Sequence, residues 1–310
     1  MRSTLIVSTA ISIKSVANHR AHLWKDWAIL LLFLGKIRVS LLVTLSTATG
    51  YLLAAKEVTV QMLLPAGAVF LLACGSCALN QYQERRFDAL MERTKNRPLP
   101  SGKLHPDTAL LISIGLIFSG SCILFCWANL IAWGLSLFAI FWYNGFYTYL
   151  KRRTAFAVIP GAMIGGVPPL IGWVAGGGHP LDPKVLAISS FFFMWQVPHF
   201  WLLLLNFGKE YEKAGFPSLT RIFTSAQIGR MTFLWIFATA VTCMITTLFG
   251  IVESYAIKGS LFAAGFWLVW KTCRILTAQS QEFPFRFNFR IINIYVLLVM
   301  FLFTVDRLIH

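Results

Sequence analysis

Charged residues are scarce in this chain, and acidic residues are the scarcest. Only 13% of the 310 positions carry Asp, Glu, Lys or Arg, and Asp and Glu together number 12. A soluble domain usually has about twice that charged fraction. Hydrophobic residues make up 57% of the chain and the mean hydropathy is +0.68. This balance excludes an ordinary soluble domain and indicates a polytopic membrane protein.

Cysteine is also sparse, with six residues. Cys74 and Cys77 fall inside one apolar stretch, and Cys122 and Cys126 fall inside another. None of the six has histidines nearby at the spacing of a zinc site. We therefore interpret the cysteines as small packing residues.

Long apolar stretches recur along the whole chain. A stretch of roughly 20 apolar residues is long enough to cross a hydrocarbon core of about 30 Å as a helix. We predict an all-α membrane bundle with nine such spans, near 36–55, 59–79, 107–127, 130–149, 156–177, 185–206, 231–252, 258–277 and 289–306.

The basic residues orient these spans. If the N-terminus is cytoplasmic, 23 of the 27 Lys and Arg residues fall on the cytoplasmic side, and only Lys56, Lys184, Lys258 and Arg307 fall outside. This asymmetry is typical of positive-inside topology. Anionic lipid headgroups are sufficient partners for the net charge of +15, so the charge does not call for a nucleic acid.

The N-terminal residues 1–28 lack a clear small-x-small cleavage site, and Lys14 follows their interrupted apolar part closely. We predict a retained cytoplasmic or interfacial segment at 1–28, followed by a single transmembrane domain at 29–310. The stretch "HLWKDWAILLLFLGK" has the character of a Trp-anchored interfacial helix.

The few acidic residues are placed in a pattern. Asn80, Glu84 and Asp88 follow one another at intervals of four, so a helix presents them on one face. Carboxylates stacked in this way repel each other, and a divalent cation removes the repulsion. Because Mg²⁺ prefers carboxylate oxygens, water and phosphate oxygens, the stripe suits a Mg²⁺–diphosphate, with the basic residues Arg93 and Arg97 nearby for the phosphate oxygens.

A second acidic loop, "NFGKEYEKAGFPSL", with Glu210 and Glu212, follows a buried span four helices later. Two facing acidic loops favour a metal-bridged substrate between them. The alternative for each loop is a plain charged connection that obeys the positive-inside rule.

Two further stretches carry polar or flexible residues at span ends. Tyr147 and Lys151 share a helical face in "YTYLKRRT" and could both reach a phosphate, or they could be a belt aromatic beside a positive-inside lysine. The glycines and prolines of "IPGAMIGGVPPLIGWVAGGG" allow close helix packing or a local helix break, and close packing is the default.

Three of these motifs together resemble one known family. "NQYQERRFDALMERTKNRPLPSG", "YTYLKRRT" with "GGVPPLIGW", and "WQVPHFW" with "KEYEKAGFPSL" are similar to successive signatures of the protohaem IX farnesyltransferase (haem O synthase) family, within the UbiA-type intramembrane prenyltransferases. The resemblance runs from about Lys36 to Leu219. It implies nine helices around a central cavity, capped on the cytoplasmic side by the two acidic loops.

The resemblance also implies an activity. The family transfers a farnesyl group from farnesyl diphosphate to a vinyl group of haem b, with addition of water, and uses Mg²⁺. The matching positions here imply three sets of site residues. The catalytic set is Asn80, Glu84, Asp88, Tyr147 and Lys151, and the metal set is Asn80, Glu84, Asp88 and Glu210. The diphosphate-binding set is Lys36, Arg38, Arg93, Arg97 and Lys151. A bacterial inner membrane is the implied location, and a haem A synthase or a terminal oxidase assembly is an implied partner.

The chain departs from the family pattern at several positions. Glu84 and Glu210 stand where aspartate is usual, Ile37 replaces a proline, and Ser218 stands where methionine is frequent. Arg86 occupies a position that is often acidic, which puts the number of bound metal ions in doubt. On a regular helix, however, position 86 points about 200° away from Glu84 and Asp88, so we predict that Arg86 lies off the metal face.

His199, in the middle of a predicted span, has two interpretations. An intramembrane imidazole could contact the porphyrin or ligate haem iron, or it could bond a backbone carbonyl freed by Pro198. Two other functions also stay open: prenyl transfer to an aromatic quinone precursor or another lipid acceptor, and a non-enzymatic haem carrier or transporter. Transport would predict ionisable residues near mid-bilayer, whereas the acids here lie at helix ends.

Overall fold

The computed structural model describes residues 26–276 and 285–309. Most of the predicted N-terminal segment 1–28 therefore lies outside the described residues, although residues 26–34 form a helix.

Nine long helices follow within the described part of the chain. They are α1 (Ile37–Ala55), α2 (Leu63–Asp88), α3 (Pro106–Trp127), α4 (Leu130–Leu150), α5 (Val158–Ala175), α6 (Pro183–Lys213), α7 (Ser225–Thr246), α8 (Tyr255–Thr272) and α9 (Phe285–Ile309).

Eight of the nine helices are long and apolar enough to cross a membrane. The exception is α8, which corresponds to the span predicted at 258–277. It has only 18 residues and carries Lys258 and Lys271, so its apolar run is shorter than the sequence suggested. The all-α membrane architecture is confirmed, and the count of nine full spans is reduced to eight among the described residues.

Local sequence explains where several helices begin. Asp182 caps α6 by accepting a hydrogen bond from the Lys184 amide at 2.8 Å, and Pro183 occupies the first helical position. Thr224 and Gln227 form a capping box at the start of α7. Each of these caps satisfies backbone donors that the first turn of a helix leaves unpaired.

At the seam between α1 and α5, the two backbones approach each other closely at two glycines. A Cβ added to Gly172 would lie 1.8 Å from the Thr47 carbonyl oxygen, and one added to Gly50 would lie 2.0 Å from the Pro169 carbonyl oxygen. Only glycine lets the two backbones approach this closely. The glycine-rich stretch of α5 therefore serves close packing, the default interpretation, and it also contains a local helix break, because the helix is interrupted at Ala162.

The described helices surround a cavity of about 440 Å³. Its walls come from α1, α2, α4, α5, α6 and α9, while α3, α7 and α8 contribute none of its described lining residues. The wall is apolar over most of its depth and becomes charged near the end of α2. This confirms the predicted bundle around a central cavity.

The glycine seam gives a test of the packing. Gly172→Ala should destabilise the protein by about 1–3 kcal/mol, because the added methyl group collides with the backbone of α1. Gly115→Ala is the matched control, since Gly115 lies in α3 and a Cβ there meets open space. Thermal unfolding in detergent micelles should show a lower midpoint for Gly172→Ala only. Equal midpoints would contradict the backbone contact.

Candidate active site

The acidic face of α2 forms one wall of the cavity mouth. Helix α2 is continuous to Asp88, and Asn80, Glu84 and Asp88 all line the cavity with 2%, 5% and 1% of their surfaces exposed. Arg86 is exposed and lies outside the cavity wall. The one-face geometry predicted for the acidic motif and the outward direction predicted for Arg86 are both confirmed.

Each carboxylate of this face is paired with a cation from another segment. Lys151 Nζ lies 2.5 Å from Glu84 Oε1, and Arg97 Nη1 lies 2.7 Å from Asp88 Oδ2. Both acid side chains are at most 7% exposed, so the pairs are shielded from water. Burying such charges without partners is costly, and the cations offset that cost.

Lys36 reaches the same face from the start of α1. Its Nζ donates to Asn80 Oδ1 at 3.0 Å, and the Asn80 amide donates to Thr148 Oγ1 at 3.2 Å. Lys36 has a left-handed backbone (φ 46°), which is unusual for a non-glycine residue. The side-chain amide of Gln81 donates to the Leu34 carbonyl at 2.8 Å, which ties α2 to the segment just before Lys36.

Desolvation in the cavity wall lowers the pKa of Lys36. The neighbouring cations Arg97 and Lys151 act in the same direction, and Glu84 opposes them. A lysine in this position gains most from a ligand that brings negative charge.

Tyr147 lies beneath Lys151 in the cavity wall. Lys151 Nζ is 5.6 Å from the Tyr147 ring centroid and 5.6 Å from that of Phe216, and Tyr143 stacks on Tyr147 with centroids 5.9 Å apart. Sequence reasoning named Tyr147 but missed Tyr143 and Phe216. Tyr143 precedes Tyr147 by four residues, so the helical spacing could have found it.

A π-helical segment, Phe141–Tyr147, interrupts α4 beside these tyrosines. Asn144 in this segment clamps α4 to α2: its amide donates to the Ser76 carbonyl at 3.0 Å and to Gln83 Oε1 at 3.2 Å. The Gln83 amide donates back to the Asn144 carbonyl at 3.0 Å. This clamp fixes the register that brings Lys151 opposite Glu84. Sequence reasoning did not identify it.

Glu210 and Glu212, which the sequence suggested as part of a second acidic loop, lie on the last turns of α6 instead, and this helix end meets the loop after α2 through Arg93. The Arg93 amide donates to Glu210 Oε2 at 3.1 Å, and Arg93 Nη2 donates to Tyr211 Oη at 3.3 Å. Arg93 and Tyr211 line the cavity mouth, but Glu210 does not. The structure thus brings these two segments together while leaving Glu210 outside the wall. Arg38 is exposed and is also outside it.

His199 lines the deeper part of the cavity. Its Nδ1 lies 3.0 Å from Asn293 Oδ1 on α9, and its ring packs between Trp195 and Phe289 with centroid distances of 4.9 and 4.8 Å. The histidine therefore bonds a side chain, and not the backbone carbonyl that one interpretation expected near Pro198.

The donor set at the mouth suits a hard cation. Across the described ranges, no group of three or more His, Cys, Asp or Glu residues could hold a metal ion by itself. Asn80, Glu84 and Asp88 offer oxygen atoms only, which is the chemistry Mg²⁺ prefers, and Mg²⁺ usually completes its shell with water and substrate phosphate. The residues present fit a metal that is bound together with a diphosphate.

Comparison with known proteins places the chain in a family. The model of the UbiA prenyltransferase family matches residues 42–297. The chain belongs to this family. Among curated relatives, the Protoheme IX farnesyltransferase of Oleidesulfovibrio alaskensis is 33% identical over 88% of this chain and 95% of its own length. That of Acidiphilium cryptum is 32% identical over 99% of this chain and 97% of its own.

Solved structures of UbiA-type proteins share the fold. A UbiA homologue from Archaeoglobus fulgidus bound to GPP and Mg²⁺ has a TM-score of 0.66 at 14% identity and covers 89% of this chain and 99% of its own. A structure described as digeranylgeranylglyceryl phosphate synthase has a TM-score of 0.73 at 15% identity. The match covers 91% of this chain and 99% of that one. With its apolar spans, this UbiA prenyltransferase is an integral membrane protein.

The clamp at Asn144 gives a second test. Asn144→Ala should lower stability by about 1–3 kcal/mol, because buried polar groups of Ser76 and Gln83 lose their partners. Asn96→Ala, at an exposed loop position, is the control and should change stability by less than about 0.5 kcal/mol. Thermal unfolding in detergent would measure both. Equal stability of the two variants would show that the clamp does not hold α4 against α2.

Proposed function

We propose that this UbiA prenyltransferase moves a farnesyl group from farnesyl diphosphate to a vinyl group of haem b, with addition of water, to give haem O and diphosphate. One observation carries the proposal: a charged mouth of oxygen donors and cations opens onto an apolar cavity that contains a histidine. The names of the relatives, all Protoheme IX farnesyltransferases at 32–37% identity among those compared, support the choice of acceptor.

The mouth recognises the diphosphate by charge. Four cations line it, Lys36, Arg93, Arg97 and Lys151, against the two carboxylates of Glu84 and Asp88. Asn80, Glu84 and Asp88 would hold Mg²⁺, which supplies positive charge to the diphosphate when it is bound. Substrate binding then lets Lys151 and Arg97 turn from their carboxylate partners to phosphate oxygens.

The leaving group is stabilised by these same cations. As the allylic carbon–oxygen bond breaks, negative charge grows on the diphosphate, and Lys151, Arg97 and Lys36 face it. Each lost contact of this kind costs about 2–4 kcal/mol in other enzymes. The bond electrons leave with the diphosphate, and the prenyl carbon becomes an electron-poor centre.

The apolar cavity wall would shield the electron-poor prenyl carbon from water until the acceptor reacts with it. Val43, Leu72, Ile140 and Ile171 line the wall below the mouth and keep water from the allylic cation. The vinyl group of the acceptor supplies the electron pair for the new carbon–carbon bond. Water then adds to the cation left on the acceptor and releases one proton, which leaves a hydroxyl group. Tyr143 and Tyr147 present π-faces beside the mouth, where they would stabilise positive charge.

The position of the charges argues against a transporter. Glu84, Asp88 and their partners all lie at the mouth, and the wall below it carries no Asp, Glu, Lys or Arg among its described residues. Ion-coupled transport paths usually carry ionisable groups further along their length, and the imidazole below this mouth, His199, is bonded to Asn293. We place the mouth on the cytoplasmic side of a bacterial inner membrane, from the positive-inside pattern, and propose a haem A synthase or a terminal oxidase assembly as the acceptor of the product.

The product assay tests the proposal directly. Membranes that contain this protein, supplied with haem b, farnesyl diphosphate and Mg²⁺, should form haem O, identified by extraction and mass analysis. Membranes with an empty vector are the control. If well-folded protein returns only unmodified haem b, the proposed acceptor is wrong.

The acidic face gives a residue-level test. Asp88→Ala and Glu84→Ala should each reduce turnover at least about 100-fold, comparable to the loss of one electrostatic contact to the transition state. Arg86→Asp is the matched control on the same helix, and it should stay within a few-fold of the parent at saturating Mg²⁺ because Arg86 lies outside the wall. Its Mg²⁺ dependence can shift, since a new carboxylate changes the local potential.

Either of two results would contradict this site. Near-normal turnover in both Asp88→Ala and Glu84→Ala would remove the metal and diphosphate assignment. A collapse of turnover in Arg86→Asp at saturating Mg²⁺ would make Arg86 a substrate residue in spite of its outward position.

A further inference from the structure

The imidazole of His199 is held by a single polar partner. Its Nδ1 lies 3.0 Å from Asn293 Oδ1, and aromatic rings of Trp195, Phe200 and Phe289 surround it at centroid distances of 4.9, 5.6 and 4.8 Å. Within the described part of the chain, its other ring nitrogen, Nε2, has no hydrogen-bond partner. His199 is also the sole histidine among the described cavity-lining residues.

The orientation of the Asn293 amide is fixed by a second contact. Asn293 Nδ2 donates to the Phe289 carbonyl oxygen at 2.6 Å. Turning the amide over would bring its oxygen against that carbonyl oxygen, and two acceptors at this distance repel each other. The amide oxygen therefore faces His199.

An amide oxygen can only accept a hydrogen bond, so the proton of a neutral His199 must be on Nδ1. A neutral imidazole carries one N–H donor and one lone pair, and the lone pair is then on Nε2. A hydrogen bond from one ring nitrogen to an oxygen acceptor is the usual way that proteins orient a histidine that binds a metal through the other nitrogen.

We infer that Asn293 is a positioning residue that fixes the tautomer of His199 so that Nε2 ligates the iron of the haem substrate. The inference rests on the proposed function, because it takes haem b as the acceptor. It adds the means by which the apolar half of the cavity distinguishes a metalloporphyrin from a metal-free aromatic acceptor.

The depth of His199 agrees with this role. On α6, His199 precedes Tyr211 at the mouth by 12 residues, which is about 18 Å along a helix axis. Phe200, the next residue, contacts the Tyr147 ring with centroids 6.4 Å apart. Iron bound at His199 would thus lie deep in the cavity, and the same cavity extends to the residues at the mouth that would bind the diphosphate.

A purely structural pair between α6 and α9 is the competing interpretation, and haem spectroscopy separates the two. Ferric haem b is titrated into the purified protein in detergent at about pH 8, where an ordinary histidine is neutral. No prenyl substrate is added. The Soret and visible bands report ligation of iron by imidazole, and their change with haem concentration gives the affinity.

Three variants are compared with the parent. Asn293→Leu removes the acceptor and should weaken haem binding about 10-fold to 100-fold, the usual effect of losing the partner of a metal-bound histidine. Asn293→Asp keeps an acceptor for Nδ1–H, and with its second oxygen protonated it also keeps the donor to the Phe289 carbonyl, so it should retain the parental spectrum. His199→Gly should lose the imidazole bands, and added free imidazole should restore them.

The possible results decide the inference. A parental spectrum and affinity in Asn293→Leu, or no change of spectrum in His199→Gly, would overturn it. Loss of the bands in Asn293→Asp as well as in Asn293→Leu would also overturn it, because the acceptor would then not be what matters. Binding of farnesyl diphosphate, measured on the same samples, shows that each variant is folded.

The haem spectrum tests the role of Asn293 and His199, and the product assay tests farnesyl transfer, so either proposal can be wrong without the other. If the parent ligates haem through His199 but forms no haem O, the positioning role stands and farnesyl transfer is wrong. If the parent forms haem O with no imidazole ligation in its spectrum, farnesyl transfer stands and this inference is wrong.

Discussion

The pairing of buried carboxylates with cations from other segments is the interaction on which the site depends. Glu84 and Asp88 are nearly inaccessible to water, and each forms an ion pair with a cation from a different part of the chain. Glu84 pairs with Lys151 after α4, and Asp88 pairs with Arg97 in the loop after α2. Breaking one such pair would leave an uncompensated buried charge, which costs several kcal/mol. The mouth therefore holds its geometry only while α2, α4 and the loop after α2 stay in register.

That register comes from contacts away from the charges. The Asn144 clamp joins α4 to α2, and the glycines of the α1–α5 seam allow backbone contact at the other side of the cavity. Hydrophobic burial does little to drive helix association inside a lipid bilayer, so close packing and hydrogen bonds have a larger share in it. Asn144 and the seam glycines lie where these helices must be aligned.

Much of this could be predicted from the sequence. The spans follow from apolar run length, and the common face of Asn80, Glu84 and Asp88 follows from helical spacing, because both are local properties. Contacts between residues that are far apart in the sequence could not be predicted in this way. Nothing in the sequence pairs Asn293 with His199, which are 94 residues apart, or turns Glu210 towards the Arg93 amide and away from the cavity. The shortfall at α8 comes from Lys258 and Lys271, which shorten the apolar run of this helix.

The charge balance of the mouth also bears on how ligands enter it. Because Lys151 and Arg97 already neutralise the carboxylates of the site, an isolated divalent cation must displace an ammonium or guanidinium group to reach an oxygen. An isolated diphosphate meets Lys36 and Arg93, but Lys151 and Arg97 are held by the acids. When the two arrive together, the metal takes the carboxylates and the released cations take the phosphate oxygens, so no charge is left without a partner. On the function proposed here, metal and diphosphate binding are therefore thermodynamically coupled, and by linkage each must strengthen the other to the same degree.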